Sequence, residues 1–522
     1  MSVLSCLFSS TLTIYSLISV VFFVYVFYEL YWKRIRLPPG PTPLLIIGNM
    51  IDVIRNLSDV DGLFQRYKQK YGGIFTFWMG PIPMVMVCDV DLMRLYFVRN
   101  GDTFSGRWRN FITDSMLNGF NGVVQTDGPK WREQRRFSLQ ILRDFGFGRA
   151  FMEDKIMEEI DRFMKNLDRA SDENCGLIEP ERHLGVCVGN IINNILFGKT
   201  FEYTDPTFIR MQNILDQQST LVLHPMMGMY LTFPFSIHIP LINRPWRRLM
   251  KIRDDFWQFL ECQIQEHKTQ FEVGTELNDF TFVYMNEMAS RRASGKDIGH
   301  FSDLQLKMLL LDLFFAGSET TVTTTKWGLL MLVLHPEIQR RVQEELDHLP
   351  PRIELAHRNQ LTYLQATINE VIQRVANILP VNLLRTTMED VEIDGFSYSR
   401  GTMVLPQISI LLNDPKHFEN PQEFNPDRFL DENQNLRRYD AFMPFSIGSK
   451  RECLGMSLAK MELFLIFANL LRNFEFQPVK DEPLPSKDRI YGLTVSPPKF
   501  KCIARRRTNK NNDNINTVRS SA

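Results

Sequence analysis

One cysteine of this chain stands in surroundings that suit chemistry. Cys453 lies in FSIGSKRECLG (445–455), a loop that opens a helix patterned MSLAKMELFLIFANLL. Phe445, Gly448, Lys450 and Arg451 precede it, and Gly455 follows. At a helix N-terminus the positive end of the macrodipole and the unused backbone N–H donors favour thiolate over thiol. A single thiolate with flanking cations suits the iron of a haem, whose propionates the cations neutralise. The plainer reading is a buried structural cysteine beside a helix. A second constellation is FFAGSETTVTTT, set in an apolar helix from about Asp303 to His335, with Ser302 or Asp303 to cap it and Pro336 to end it. Ala316-Gly317-Ser318-Glu319-Thr320-Thr321 inserts small and polar groups there. Thr320 can bond back to a carbonyl one turn earlier and loosen the ladder, which predicts a kink with a hydroxyl and a carboxylate facing a cavity. A hydroxyl-lined helix contact is the alternative. A third is DGPKWREQRRFSLQIL (127–142), where Trp131 and Arg135 are one turn apart and share a face.

Ample core material stands ready to position these groups: 44% of the 522 residues are apolar and 40 are phenylalanine. The 60 Lys+Arg balance the 60 Asp+Glu, which argues against a polyelectrolyte role and against nucleic acid as a partner. Seven cysteines are scattered without a C-x-x-C, against a disulfide framework or a zinc site and for a reducing compartment.

From Met1 to Tyr28 there is no charged residue. Roughly 26 such residues make a helix of about 39 Å, enough to cross a hydrocarbon core of about 30 Å. Residues 1–32 are therefore expected to be a membrane anchor rather than a cleaved signal, with Lys33, Arg34 and Arg36 on the cytoplasmic side. Residues 33–45 read as a basic, proline-rich hinge around Pro38-Pro39-Gly40-Pro41. The main domain is expected over 46–503, mostly helical between about 130 and 375 and again over 453–472. Hairpins are expected around Gly80-Pro81 and at Asp394-Gly395. Residues 504–522 are polar and aperiodic and read as a disordered tail with a solvated arginine cluster.

Together these stretches resemble the cytochrome P450 superfamily, the haem-thiolate monooxygenases, and within it the animal microsomal members. The resemblance runs from the anchor to about residue 503, with the motifs in family order. It implies a mainly α fold with a smaller β region, the cytochrome P450 fold, preceded by one N-terminal transmembrane helix. It also implies haem b (iron protoporphyrin IX) with Cys453 as the axial ligand of the iron and Phe445 against the thiolate. Trp131, Arg135, Arg107 in FSGRW, Arg385 in NLLRTT and Arg451 would meet the propionates. Thr320 and Glu319 would steer protons during dioxygen activation. Glu370 and Arg374 in INEVIQRV, with Arg428 in FNPDRF, would form a buried structural network.

Two departures from the family pattern stand out. Three residues rather than two separate Glu370 from Arg374, which turns Arg374 by about 100° and is often absorbed as a π-bulge. Counting back from Cys453, Phe445 and Gly448 each lie one place too far, while Arg451 keeps its place.

The function implied is insertion of one oxygen atom from O2 into a small lipophilic substrate of xenobiotic, fatty acid or steroid class. Electrons would come from NADPH through a separate membrane-bound NADPH-cytochrome reductase, with cytochrome b5 as a further donor, since no G-x-G-x-x-G segment is present. Arg132, Arg136, Arg149 and Lys460 offer a basic face to such a reductase, or else are solvated charge. The location implied is the endoplasmic reticulum membrane, single-pass, with the catalytic domain cytoplasmic. HPMMGMYLTFPFSIHIPLI (224–242) is apolar enough to dip into the membrane surface or to pack as ordinary core. Phe314, Phe315, Ala316, Thr320, Val381, Leu383 and Leu493 are the expected pocket walls. The alternative class is a family member that binds haem or ligand without turnover.

Overall fold

Apolar and aromatic residues on both sides of Gly80-Pro81 form a hairpin of β1 (Ile74–Met79) and β2 (Ile82–Val87), paired from Ile74↔Val87 to Met79↔Ile82. The computed structural model describes residues 15–28, 31–57, 59–145, 150–222, 224–272, 274, 276–295, 297–375, 382–448 and 450–507. The chain divides into two compact units, and the hairpin belongs to the first, made of Met1–Trp108, Val381–Ile410 and Ile447–Lys450. Its other strands are β3 (Gly106–Arg107), β4 (Arg385–Thr386), β5 (Val391–Ile393), β6 (Phe396–Tyr398) and β7 (Met403–Pro406). One sheet has the order β1-β2-β7-β4-β3, with β2 and β7 parallel. β5 and β6 form a separate hairpin whose turn places Asp394 at φ 56° and Gly395 at φ 76°. Left-handed backbone at both central residues is the type I′ geometry that Asp-Gly favours.

A helix long and apolar enough to span a membrane covers Tyr15–Arg34 and is not buried against protein. The proline hinge is tied to β1: Thr76 donates its N–H to Pro39 O at 3.0 Å and its hydroxyl to Pro38 O at 2.7 Å.

The second unit comprises Arg109–Pro380, Leu411–Ser446 and Arg451–Ala522. Six of its helices carry the chemistry: α1 (Gly128–Asp144), α2 (Pro180–Phe197), α3 (Pro206–Val222), α4 (Asp303–Leu334), α5 (Thr362–Val375) and α6 (Met456–Asn473). Prolines open α1, α2 and α3, where a missing N–H is harmless. Ser302 caps α4 by accepting from Gln305 N–H at 3.1 Å, and the helix stops at His335 before Pro336. Buried residues surround α4 on most sides, as in a helix that runs through a core. α2 and α6 pack along it.

Two expectations need correction here. α5 remains α-helical through Glu370–Val375, so no π-bulge appears in its backbone hydrogen bonding; α4 is likewise helical through Ala316–Thr321. The chain also stays ordered past residue 504. Cys502–Arg506 is a strand, the middle one of three, between Leu177–Ile178 and Phe474–Gln477. Two arginines here meet carboxylates: the exposed Arg506 pairs with Asp168 at 2.5 Å and Arg507, just past the strand, with Asp347 at 2.9 Å. Residues 1–14 of the expected anchor and 508–522 of the expected tail lie outside the described residues.

Candidate active site

Cys453 sits three residues before α6, and its backbone N–H donates to Phe445 O at 2.9 Å. That bond closes the loop despite the extra residue, whose length is accommodated by left-handed backbone at Ser446 (φ 73°) and Gly448 (φ 85°). The thiol is accessible on one side while crowded by protein on the other. Crowding pushes its pKa up; the Gly455 N–H and the Arg135 guanidinium pull it down. Lys460 stands 5.4 Å over the Phe445 ring.

Beside this loop Trp131 collects cations. Arg451 lies 3.8 Å over its ring and Arg135 5.9 Å, one on the helix turn that follows Trp131 and one from the cysteine loop. Arg451 donates to Thr126 O at 2.7 Å, and Arg135 to Glu452 O at 2.5 Å. The indole N–H of Trp131 is buried and has no hydrogen-bond partner in the protein. Two guanidinium groups and an unused N–H donor are the donor set for an anion, and they border an accessible thiol.

In the first unit the same motif of paired cations recurs. Arg107 and Arg385 are direct cross-strand neighbours in β3 and β4, both buried. Like charges at opposing strand positions are unfavourable unless an anion compensates them. Arg107 donates to Leu384 O at 3.2 Å, and Arg385 donates to Ile447 O at 3.1 Å and lies 4.7 Å over Phe97.

On α4, Thr320 donates its hydroxyl to Ala316 O at 2.7 Å, the back-bond its position predicts. Glu319, one residue earlier, accepts from the Thr494 hydroxyl at 2.6 Å. Burial holds its carboxyl above the usual range, against the hydroxyls of Thr494 and Ser219. Phe314 does not join Thr320 as a pocket wall. It is buried edge-on against Phe256 (centroids 5.5 Å) and Phe259 (6.1 Å), because six residues of helix carry it to a different face. Val381 lies outside the described residues.

Sequence reasoning missed Asp312. This buried carboxylate accepts the backbone N–H groups of Val123 at 2.6 Å and Val124 at 2.8 Å, fixing the loop that precedes α1. Gln305 adds a two-way bond to Gly122. Gly122 needs to be glycine: its φ is 81°, and a Cβ would come within 2.3 Å of Asp312 Oδ2. The signal was present as a lone acid in the apolar run LLLDLFF.

Glu370 of α5 is fully buried and accepts from Arg428 Nε at 2.8 Å and Asn425 N–H at 3.0 Å. Arg428 also donates to the carbonyls of Glu419, Asn420 (3.1 Å) and Glu423 (2.9 Å). The Arg374 side chain lies outside the described residues. A second carboxylate that sequence reasoning passed over, Glu462 of α6, is also fully buried. Thr321 donates to its Oε2 at 3.1 Å, and its Oε1 has no partner. Burial pushes its pKa up to about 8.

Haem meets these residues well: a reachable thiol for its iron, with cations and an unused indole N–H for its carboxylates. Comparison with known proteins points the same way. The sequence profile of the cytochrome P450 family matches residues 38–504. The chain is 35% identical to cytochrome P450 2B4 of Oryctolagus cuniculus, over 89% of this chain and 93% of that protein. It is 34% identical to cytochrome P450 2D9 of Mus musculus (90% and 92%) and 35% identical to cytochrome P450 2J2 of Homo sapiens (88% and 89%).

Proposed function

The chain belongs to the cytochrome P450 family and is a haem-thiolate monooxygenase of the microsomal type, and from that premise we propose how its own residues serve the reaction. Cys453 holds the iron. Trp131, Arg135 and Arg451 serve one carboxylate-binding place, and Arg107 and Arg385 are cationic partners for a propionate. When bound, the haem supplies the redox centre at which dioxygen is reduced and one oxygen atom enters the substrate.

The protein's contribution is placement and proton management. The Gly455 N–H and the Arg135 guanidinium favour thiolate at Cys453. Thr320 donates to Ala316 O, which leaves its oxygen able to accept a hydrogen bond and, on rotation, to pass a proton. Burial moves Glu319, one residue away, towards its neutral form, which suits it to pass a proton. The Thr494 hydroxyl orients it. Glu370 with Arg428 stiffens the chain ahead of the cysteine loop.

Electrons come from a separate reductase. We assign that role to NADPH-cytochrome reductase, with cytochrome b5 as a second donor, docking on a basic face that includes the exposed Arg132, Arg136 and Lys460; Arg149 lies outside the described residues. The substrate class is small and lipophilic: xenobiotic, fatty acid or steroid. Support comes from the exposed Phe233, Phe235, Ile239 and Leu241, which suit contact with a membrane surface through which such molecules arrive. With the helix Tyr15–Arg34, this favours a single-pass protein of the endoplasmic reticulum whose catalytic domain faces the cytoplasm.

The observation that carries the site assignment is the unpartnered, buried Trp131 N–H under two guanidinium groups, next to an accessible cysteine. The test is the carbon-monoxide difference spectrum of the reduced protein. The wild type should give the strongly red-shifted Soret band of thiolate ligation, and Cys453→Ala should lose it. Thr320→Ala should keep the band while diverting NADPH electrons to peroxide. A retained band in Cys453→Ala would assign the ligand elsewhere, and unaltered coupling in Thr320→Ala would take that hydroxyl out of the proton path.

A further inference from the structure

Two irregularities of the first unit meet at one contact. Counting back from Cys453, Gly448 lies one place too far for the family pattern, so the extra length of the loop falls after it. Leu95–Arg99 is wound as a π-turn, in which the Asn100 N–H reaches back five residues to Leu95 O at 3.2 Å. Such turns are frequent at functional sites. The backbone of Gly448 lies against the Phe97 carbonyl: a Cβ there would come within 2.1 Å of the oxygen, and its φ of 85° suits glycine. Lys450 pairs with Asp102 at 3.1 Å just past the turn, but both side chains are exposed and the pair adds little. All these residues belong to the same unit.

The π-turn also decides where two neighbouring rings go. A wider turn sets adjacent residues closer in angle than the roughly 100° of an α-helix, so Tyr96 and Phe97 both face inward, and both are buried. Tyr96 packs on Phe104 (centroids 5.1 Å) and shares a hydrogen bond of 2.9 Å with the Tyr398 hydroxyl. Phe97 turns its ring to the Arg385 guanidinium, 4.7 Å from the centroid. Arg385 in turn donates to Ile447 O at 3.1 Å, one residue before Gly448. Phe97 therefore meets the cysteine loop twice: directly, through its carbonyl at Gly448, and through Arg385 at Ile447.

We infer that Phe97 is a positioning residue for haem retention: its ring holds the Arg385 guanidinium in place for a haem carboxylate, and its carbonyl seats the lengthened loop at Gly448. The inference rests on the assignment of Arg385 to a propionate and adds the residue that fixes it. The like charge of Arg107 on the neighbouring strand pushes Arg385 away, and the ring face holds it. A ring attracts the cation without consuming its N–H donors, which stay available to a carboxylate. An acid at this position would neutralise Arg385 and compete with the haem; an aliphatic side chain would offer the cation no attraction.

The test is haem release from the full-length ferric protein to excess apomyoglobin, with the haem midpoint potential measured alongside, in Phe97→Leu, Arg385→Gln and the double variant. Leucine keeps an apolar side chain in the core while removing the ring face. Phe97→Leu should speed release roughly five- to thirtyfold, the worth of a desolvated cation–π contact. Arg385→Gln should speed it about tenfold or more, and the double variant should release haem no faster than Arg385→Gln alone. The potential should fall in each single variant, because a cation near the haem favours its more electron-rich state, and should fall no further in the double variant. The same factor for Phe97→Leu with and without Arg385 would show a packing role only and overturn the inference. If Arg385→Gln leaves release and potential unchanged, the propionate assignment fails and the inference with it. If Phe97→Leu alone is silent, the assignment stands and the inference falls.

Discussion

Glu462 should make this protein sensitive to mild alkali, and Glu462→Gln should relieve it. The carboxyl is completely buried in α6, nine residues after Cys453, with a single hydrogen bond from Thr321 and one oxygen unmet. Its pKa stands at about 8 against an ordinary value of 4.5, with burial as the cause. The folded protein thus keeps a proton there that the unfolded chain releases above pH 4.5. Stability from this group is fully present below about pH 4.5, falls as pH rises from there, and is lost once pH passes about 8. One pKa unit corresponds to about 1.4 kcal/mol, so the whole window carries roughly 5 kcal/mol for a group with no solvent to screen it. Most of that is already lost at pH 7. Glutamine keeps an acceptor for Thr321 and carries no charge to desolvate. Urea unfolding of both proteins between pH 5 and pH 9 measures the difference. The variant should gain on the wild type by several kcal/mol across this range, with the gain levelling off above pH 8. A constant difference would mean that Glu462 does not titrate in this window, and the burial argument would fail.

Arg428→Met should cost about 3–5 kcal/mol in the same assay, because it removes from the buried Glu370 the guanidinium whose Nε donates to it at 2.8 Å. Adding Glu370→Gln should recover at least half of that loss; a single variant within 1 kcal/mol of wild type would refute the pairing as a structural element. Asp312→Ala strands the N–H groups of Val123 and Val124. At about 2–4 kcal/mol for the lost acceptor, their hydrogen exchange should quicken by roughly 30- to 1000-fold. Unchanged exchange at both amides would show that the loop is held by other means.

What could be read from the sequence was local. Asp394-Gly395 specifies its turn from two residues, and Ser302 and Pro336 bracket α4 with neighbours three residues away or fewer. Thr320 finds its carbonyl one turn back on its own helix. What could not be read depended on partners far along the chain. Asp312 looked like a stray acid because its two amides lie about 190 residues earlier. Glu462 sat in a charged-apolar pattern that any amphipathic helix shows, and only the burial of α6 on all sides makes it exceptional. Phe314 was placed beside Thr320 by sequence proximity, whereas Phe256 and Phe259 decide which face of α4 turns towards them. Arginines 505–507 had the composition of a frayed end, and the acidic partners of Arg506 and Arg507, at 168 and 347, were invisible to composition.

The strand Cys502–Arg506 also bears on biosynthesis. It is the centre of its sheet, hydrogen-bonded on one side to Leu177–Ile178 and on the other to Phe474–Gln477, and neither flanking strand pairs with the other. That sheet cannot assemble during translation until the codons for 502–506 have been read. At roughly 5–20 residues per second, the ribosome needs about 15–65 s to travel from residue 178 to residue 502. Throughout that interval the early strand waits with open edges, a time in which chaperones have most to guard. A premature stop just before codon 502 would delete the one strand that joins the other two.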